Sequence, residues 1–321
     1  MNTIKLLESY EKMYLLRKME EELVKYYYDN KIMSFVHFYV GQEAVAVGVC
    51  ENLESNDMVF GNHRSHGHYL AKGGDPGRMV AELLGKSTGC CAGKGGSMHM
   101  IDKSVNFMGS TPILGSVVPI SAGSALTQKL TNSPNITVAF FGDGAAEEGV
   151  VYETINFASL FKLPLLLVVE NNYYSVMSKL SDRRGEHYNV EQIVNGLGAK
   201  YFFADGNDFF SVYNQTKNAI QHMKSQQQVA VLECSVYRHM AHSAPIRDDK
   251  VGYRHQHDSP ENRAKNDSVL NLRNKLMEMC DMATIVDLEE KINIVVADAI
   301  RFGVNSTFPE NAAMYKDVYH E

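Results

Sequence analysis

The sequence predicts an α/β protein built on a doubly wound parallel sheet, and three observations carry the prediction. Two continuous apolar runs, 136–141 and 165–170, show no polar alternation, as expected of strands covered on both faces. Between them Val151, Thr154, Ile155, Ala158 and Phe161 form a helical stripe, which completes a strand–turn–helix–strand unit. Two further strand candidates, 199–204 and 229–237, follow with a helical pattern near 210–224 between them.

The elements follow in order. Leu6, Leu7, Tyr10, Met13, Tyr14, Arg17 and Glu21 recur at three- and four-residue steps and predict a long helix ending near Asn30. A second helix is expected near Gly41, where Ala44, Val45, Val47 and Gly48 permit close packing. Residues 85–123 hold eight glycines without clear periodicity in their first half, so this segment reads as a working loop. The polar, histidine-rich stretch 238–267, with His255 and His257 as solvated residues, reads as another loop. A final helix pair is expected over 269–282 and 287–301. The expected organisation is a helical N-terminal arm over 1–40 and one α/β domain over 41–321, with no internal repeat.

Composition narrows the function classes. The 321 residues, 45% hydrophobic, suffice for a large core and exclude a disordered chain. A balance of 31 basic to 38 acidic side chains gives −7 and argues against a dedicated nucleic-acid surface. The five cysteines are odd in number and scattered, so they read as reduced thiols. No apolar run reaches the roughly 18 residues of a membrane span, and charge at helical spacing in the first 22 residues is unlike a secretory signal. A soluble, cytoplasmic protein with no membrane or nucleic-acid partner is expected.

The chemistry gathers at the predicted strand ends. Asp143 lies just beyond the first strand and Asn171-Asn172 just beyond the second. In a right-handed unit these ends share one sheet edge, where open α/β sheets bind ligands. Gly142 and Gly144 are expected to let the backbone turn and approach a ligand, and the following helix points its N-terminus there. One carboxylate, one amide oxygen and nearby carbonyls suit Mg²⁺ that also takes oxygens from a diphosphate. From spacing alone, a plain Gly-Asp-Gly turn with an Asn-Asn strand cap remains the alternative.

Gly142-Asp143-Gly144 with Asn171-Asn172 resembles the thiamine-diphosphate (ThDP) signature. With Gly41-Gln42-Glu43-Ala44, His63-Arg64-Ser65-His66-Gly67-His68, Gly93-Lys94-Gly95-Gly96-Ser97-Met98-His99-Met100, Glu170, and Tyr237-Arg238 leading to His242-Ser243, the chain resembles the alpha subunit of 2-oxo acid dehydrogenase and acetoin dehydrogenase E1 components. The resemblance runs from about Leu6 to Met277. It implies the diphosphate-binding module of the ThDP-binding fold, with Mg²⁺ held by Asp143, Asn172 and the backbone carbonyl of Tyr174. It implies backbone contacts from Gly144 and Ala145 to the diphosphate, His63 and Arg64 at the phosphates, and Leu114 at the aminopyrimidine. His66 and His242 match histidines near the thiazolium, His242 on a loop over the cofactor. Because the activating glutamate belongs to a separate pyrimidine-binding module, the resemblance also implies a beta subunit in an α2β2 assembly. It further implies, as an acceptor, a lipoyl-bearing E2 protein. Pro112, Glu147-Glu148, Ser175 and Met240 depart from the family pattern around the metal and diphosphate core, and they weaken the substrate assignment.

Other patterns carry less. Gly89–Lys94 mimics a phosphate loop but has glycine where Ser or Thr must follow the lysine. Gly196-Leu197-Gly198 lacks the third glycine of a dinucleotide fingerprint. The His63, His66 and His68 trio could bind zinc, but Arg64 between them disfavours a cation. Tyr26-Tyr27-Tyr28 and the sixteen methionines read as packing, and Cys90-Cys91 as partly buried thiols. The rival functions are a carbon–carbon ligase subunit using a carbonyl acceptor, a non-catalytic paralogue, and a histidine-metal hydrolase.

Overall fold

Apolar residues that alternate between the two faces of each strand set the architecture. The computed structural model describes residues 1–32, 34–254 and 259–316, so His255 and His257 fall outside the described residues. Six strands form one sheet: β1 (Met58–Gly61), β2 (Phe107–Ser110), β3 (Thr137–Gly142), β4 (Leu165–Asn171), β7 (Lys200–Asp205) and β8 (Ala230–Ser235). Their order is β2-β1-β3-β4-β8-β7, with every pairing parallel. Strands β5 (Tyr174–Ser175) and β6 (Ser178–Lys179) make a separate small hairpin.

Val138, Phe140, Leu166, Val168 and Leu232 face one core, and Ala139, Phe141, Leu165, Leu167 and Val231 face the other. On the first face lie α1 (Thr3–Tyr28), α2 (Glu43–Cys50), α3 (Ser65–Ala71) and α4 (Pro76–Leu83). On the second lie α5 (Val117–Leu130) and α6 (Gly149–Leu160). The chain continues through α7 (Leu180–Arg183), α8 (Val190–Gly196), α9 (Phe209–Gln226), α10 (Asp248–Val251), α11 (Pro260–Lys265), α12 (Ser268–Met277) and α13 (Met282–Asn305). The N-terminal helix buries Leu6, Tyr10, Met13, Leu16, Met19 and Leu23 in the core that also holds the sheet residues. Among the described residues no helix is long and apolar enough to cross a membrane.

The doubly wound prediction holds, and several local expectations change. Residues 85–123 are not one loop: they contain β2, and α5 starts at Val117. Strands β1 and β2 are four residues each, too short to reveal a period. Helices α3 and α4 were likewise not anticipated, and the 238–267 segment contains α10 and α11. The last helix starts at Met282, earlier than expected, just after Asp281.

Candidate active site

The sheet reverses direction between β1 and β3: the chain winds outward from β1 to β2, then crosses to β3 on the other side. Ligands of open α/β sheets sit beyond strand ends at such a switch. The described structure has there a cavity of about 90 Å³. It is lined by His63 and Arg64 after β1, Leu114 after β2, Asp143, Gly144 and Ala145 after β3, and Asn172 and Tyr174 after β4. His242 closes it from the loop after β8. Gly142 pairs with Glu170 across β3 and β4, so Asp143 and Asn171 follow side by side at the same sheet edge.

The backbone there is shaped by more than glycine. Neither Gly142 nor Gly144 has positive φ, contrary to the turn expected of them, and a Cβ on Gly144 would meet Ser175 Oγ at 2.6 Å. The left-handed residues are instead Tyr173 and Val176, which flank Tyr174. Asn172 Oδ1 accepts the Tyr174 N–H at 3.1 Å, and Asn171 Oδ1 accepts that of Tyr173 at 2.9 Å. After Gly144 a 3₁₀ turn, Ala145–Glu147, precedes α6.

Asp143 is buried and paired with the Arg183 guanidinium. Arg183 also donates to Glu147 Oε2 at 2.5 Å, and Arg184 donates to Glu147 Oε1 at 2.9 Å. Burial pushes the Asp143 carboxyl above its usual value, and Arg183 offsets this only in part. Sequence reasoning missed Arg183 and Arg184, and the adjacent arginine pair was their only signal.

Glu170 also lines the cavity, at the end of β4. It accepts from Tyr39 Oη, from Asn62 Nδ2 at 2.9 Å and from His68 Nε2 at 3.0 Å. Burial alone would push its carboxyl up, but the facing His68 and these donors hold it below the usual carboxylate range. His66 does not line the cavity. Its Nδ1 donates to Glu20 at 2.6 Å and its Nε2 meets Ser97 Oγ at 2.8 Å, in full burial. The structure therefore disperses the His63, His66 and His68 trio.

His63 lies beside the expected His242 and beside His37, which the sequence did not suggest. Its ring lies 4.6 Å from His37 and 5.4 Å from His242, centre to centre. Arg64 draws the three segments together, donating to Phe38 O at 2.6 Å and His242 O at 2.8 Å. Burial, then the Arg64 charge, hold His37 down to about 3 and His63 well below the ordinary imidazole value. Among the described residues neither ring nitrogen of His63 has a hydrogen-bond partner, and neither does Gln42 Nε2 at the cavity wall.

A family model, the dehydrogenase E1 component, matches residues 11–310. The chain belongs to the dehydrogenase E1 component family of alpha subunits. It is 33% identical over 324 residues to the alpha subunit of acetoin:2,6-dichlorophenolindophenol oxidoreductase of Bacillus subtilis, covering 98% of this chain and 93% of that one. It is 34% identical to the pyruvate dehydrogenase E1 component subunit alpha of Rickettsia prowazekii, covering 98% and 95%. The corresponding Zymomonas mobilis subunit is 35% identical, covering 98% and 88%. Members of this E1 family generally use ThDP and Mg²⁺. The donor set here suits such a group: the buried Asp143 carboxylate, the Asn172 amide oxygen and the backbone carbonyl of Tyr174 are hard oxygen ligands of the kind Mg²⁺ takes.

Proposed function

We propose that this chain is the alpha subunit of a ThDP- and Mg²⁺-dependent E1 enzyme that cleaves a small 2-oxo acid, such as pyruvate, or acetoin. The acyl or aldehyde unit passes to an acceptor such as lipoamide. The carrying observation is the convergence of nine expected residues, from five strand ends or loops, on one cavity at the switch point. When bound, the cofactor supplies a nucleophilic carbon that attacks a 2-keto carbon and holds the electrons released.

In this reading Asp143, Asn172 and the Tyr174 carbonyl hold the metal. The Gly144 and Ala145 amides would hold the diphosphate together with His63 and Arg64, and Leu114 would contact the aminopyrimidine. His242 would serve near the reacting end. His66, engaged on both ring nitrogens, acts as a positioning residue that ties Ser97 to Glu20. A beta subunit would complete the site with its glutamate. Exposed Ile113, Ile120, Leu130, Leu160 and Phe161, on α5, on α6 and close to their ends, form apolar surface consistent with such a partner.

The test is Asp143→Ala in the chain reconstituted with its beta partner. Loss of Mg²⁺-dependent ThDP binding by calorimetry, and of turnover, is expected; retained activity would overturn the site assignment. The Arg183 guanidinium on Asp143 favours a second reading, a non-catalytic paralogue whose metal site is closed by an internal cation. Native mass spectrometry separates the two: the enzyme gains one ThDP per alpha chain in an α2β2 assembly, and the paralogue gains none.

A further inference from the structure

Two adjacent thiols sit in the glycine-rich loop, and neither lines the candidate active site. Cys90 and Cys91 are both partly exposed, and their Sγ atoms lie 4.0 Å apart. The loop that carries them is held from three directions. Glu82 accepts the N–H groups of Cys91, Gly93, Gly95 and Gly96. Ser87 N–H donates to Thr307 O at 2.9 Å and Thr88 Oγ1 to Ser306 Oγ at 2.6 Å, which straps the loop to the chain just after α13. Ile101 N–H donates to Cys91 Sγ at 3.0 Å, so one thiol latches the loop to the segment before β2. The two thiols are not equivalent. The neighbouring Cys90 thiol, then the Ile101 N–H, bring the Cys91 thiol below its ordinary value against burial and the charges of Glu82 and Asp102. The same contact, then burial, push the Cys90 thiol up.

We infer that Cys90 and Cys91 form a peroxide-sensitive dithiol that closes to a disulfide and, in closing, releases Ile101 from the loop. The thiolate is the reactive form of cysteine, and oxidation follows thiolate character and exposure. Cys91 Sγ attacks one peroxide oxygen, the O–O bond breaks, and a Cys91 sulfenic acid forms as the other oxygen leaves as water. Loss of the Cys91 charge frees the Cys90 proton. Cys90 Sγ then attacks Cys91 Sγ, and the sulfenic oxygen leaves as a second water. Two thiols are oxidised and one hydrogen peroxide is reduced. Adjacent Cα atoms are about 3.8 Å apart, below the roughly 4.4–6.8 Å usual for a bridged pair. Such a disulfide is strained and readily reduced, as suits a reversible device rather than a structural bridge. Closure draws Cys91 Sγ from Ile101 N–H and from His99 O, which lies 3.3 Å away. That loosens the segment carrying Ser97, whose Oγ meets His66 and whose carbonyl accepts from Ser65. Glu82 completes a grouping of metal-ligand types with the two cysteines, but its oxygens are already committed to four backbone amides, which leaves dithiol chemistry. The inference needs only this chain's thiols and does not depend on the cofactor reading.

The test treats the full chain, in its natural assembly, with hydrogen peroxide and then blocks free thiols with N-ethylmaleimide under denaturing conditions for peptide mass spectrometry. The peptide holding Cys90 and Cys91 should lose two hydrogens and take up no maleimide, and should take up two after dithiothreitol. Cys90→Ala should stop at a Cys91 sulfenic acid that dimedone traps, whereas Cys91→Ala should give neither dimedone adduct nor disulfide. Hydrogen exchange at the Ile101 amide should be several-fold faster in the oxidised chain and return on reduction. Two maleimides on the peptide after peroxide, a bridge to Cys50, Cys234 or Cys280, dimedone on Cys90 in the Cys91→Ala variant, or unchanged exchange at Ile101 would each overturn the inference. The mass and exchange measurements use the parent chain, so they decide the matter even where a variant fails to fold.

Discussion

Arg183 offers the sharpest test of how the metal site works. Its guanidinium bonds Asp143, the proposed Mg²⁺ ligand, and Glu147 at 2.5 Å. Mg²⁺ would compete with the first of these contacts for the Asp143 charge, whereas the second can persist. A hydrogen bond to a charged group contributes roughly 1.5–3 kcal/mol net, so Arg183→Ala should tighten Mg²⁺ by about 10- to 100-fold at 1.4 kcal/mol per tenfold. The metal-free variant should be less stable by a similar amount, because Asp143 is buried and would lose its partner.

The pH dependence has a defined sign. Burial already raises the Asp143 carboxyl, and without Arg183 it rises further, so protons compete more strongly with the metal. The gain in Mg²⁺ affinity should thus be largest at high pH and shrink as pH falls. Calorimetric titration of Mg²⁺ at fixed ThDP, on the reconstituted complex, measures it; the chain has no tryptophan to report by fluorescence. Thermal melts with and without Mg²⁺ supply the stability arm. Weaker Mg²⁺ binding in the variant would refute the reasoning and place Arg183 among the diphosphate contacts.

Three further outcomes follow from other parts of the structure. Glu82→Gln should destabilise the chain by about 2 kcal/mol or more, since one amide oxygen cannot replace two carboxylate oxygens that accept four backbone N–H groups; urea denaturation checks this, and faster proteolysis within 85–100 should accompany it. Gly41→Ala should lower the melting temperature by several degrees, because Gly41 sits at φ +100° and a Cβ would lie 2.3 Å from the Tyr237 carbonyl. Stability should fall with acid as His37 and His63 stay neutral while the unfolded chain protonates below about pH 6.5, by at most about 1.4 kcal/mol per pH unit for each imidazole. Denaturation at about pH 7.5 and about pH 5.5 should show a shallower decline in His63→Phe than in the parent, and an equal decline would discount His63 as a source.

Legibility in the sequence tracked length and locality. β3, β4 and β8 announce themselves as apolar runs because both sheet faces are covered, and the long α1 and α9 display their periods. Their ends alone place Asp143 beside Asn172. β1 and β2 were illegible: each spans four residues, and each is defined by its neighbours in the sheet rather than by its own pattern. The same holds for side-chain partnerships between distant segments. Nothing local couples Arg183 to Asp143, or His37 to His242, which lies some two hundred residues away along the chain. The motif glycines were legible as a cluster but not in their reasons, since the left-handed positions beside the metal site belong to Tyr173 and Val176.

The interior carboxylates explain how long loops can hold a site of this kind. Loops lack the regular ladder that satisfies backbone donors, so a buried loop needs acceptors from elsewhere. Three buried glutamates supply them, and a fourth, Glu170, gathers side chains instead. Glu20 accepts from His66 and from the Tyr39 N–H at 3.2 Å; Glu43 accepts from Arg17, the Gly41 N–H and Ser268; Glu82 gathers four amides of the glycine-rich loop; Glu170 gathers Tyr39, Asn62 and His68. Glu43 and Glu170 bond residues adjoining or lining the cavity, and Tyr39 joins Glu20 to Glu170. A buried charge is costly unless its acceptor capacity is filled, so each glutamate admits only the loop geometry that fills it. Mutations at Glu43 and Glu170 should therefore damage the site through geometry, with Glu170 alone of the four lining the cavity.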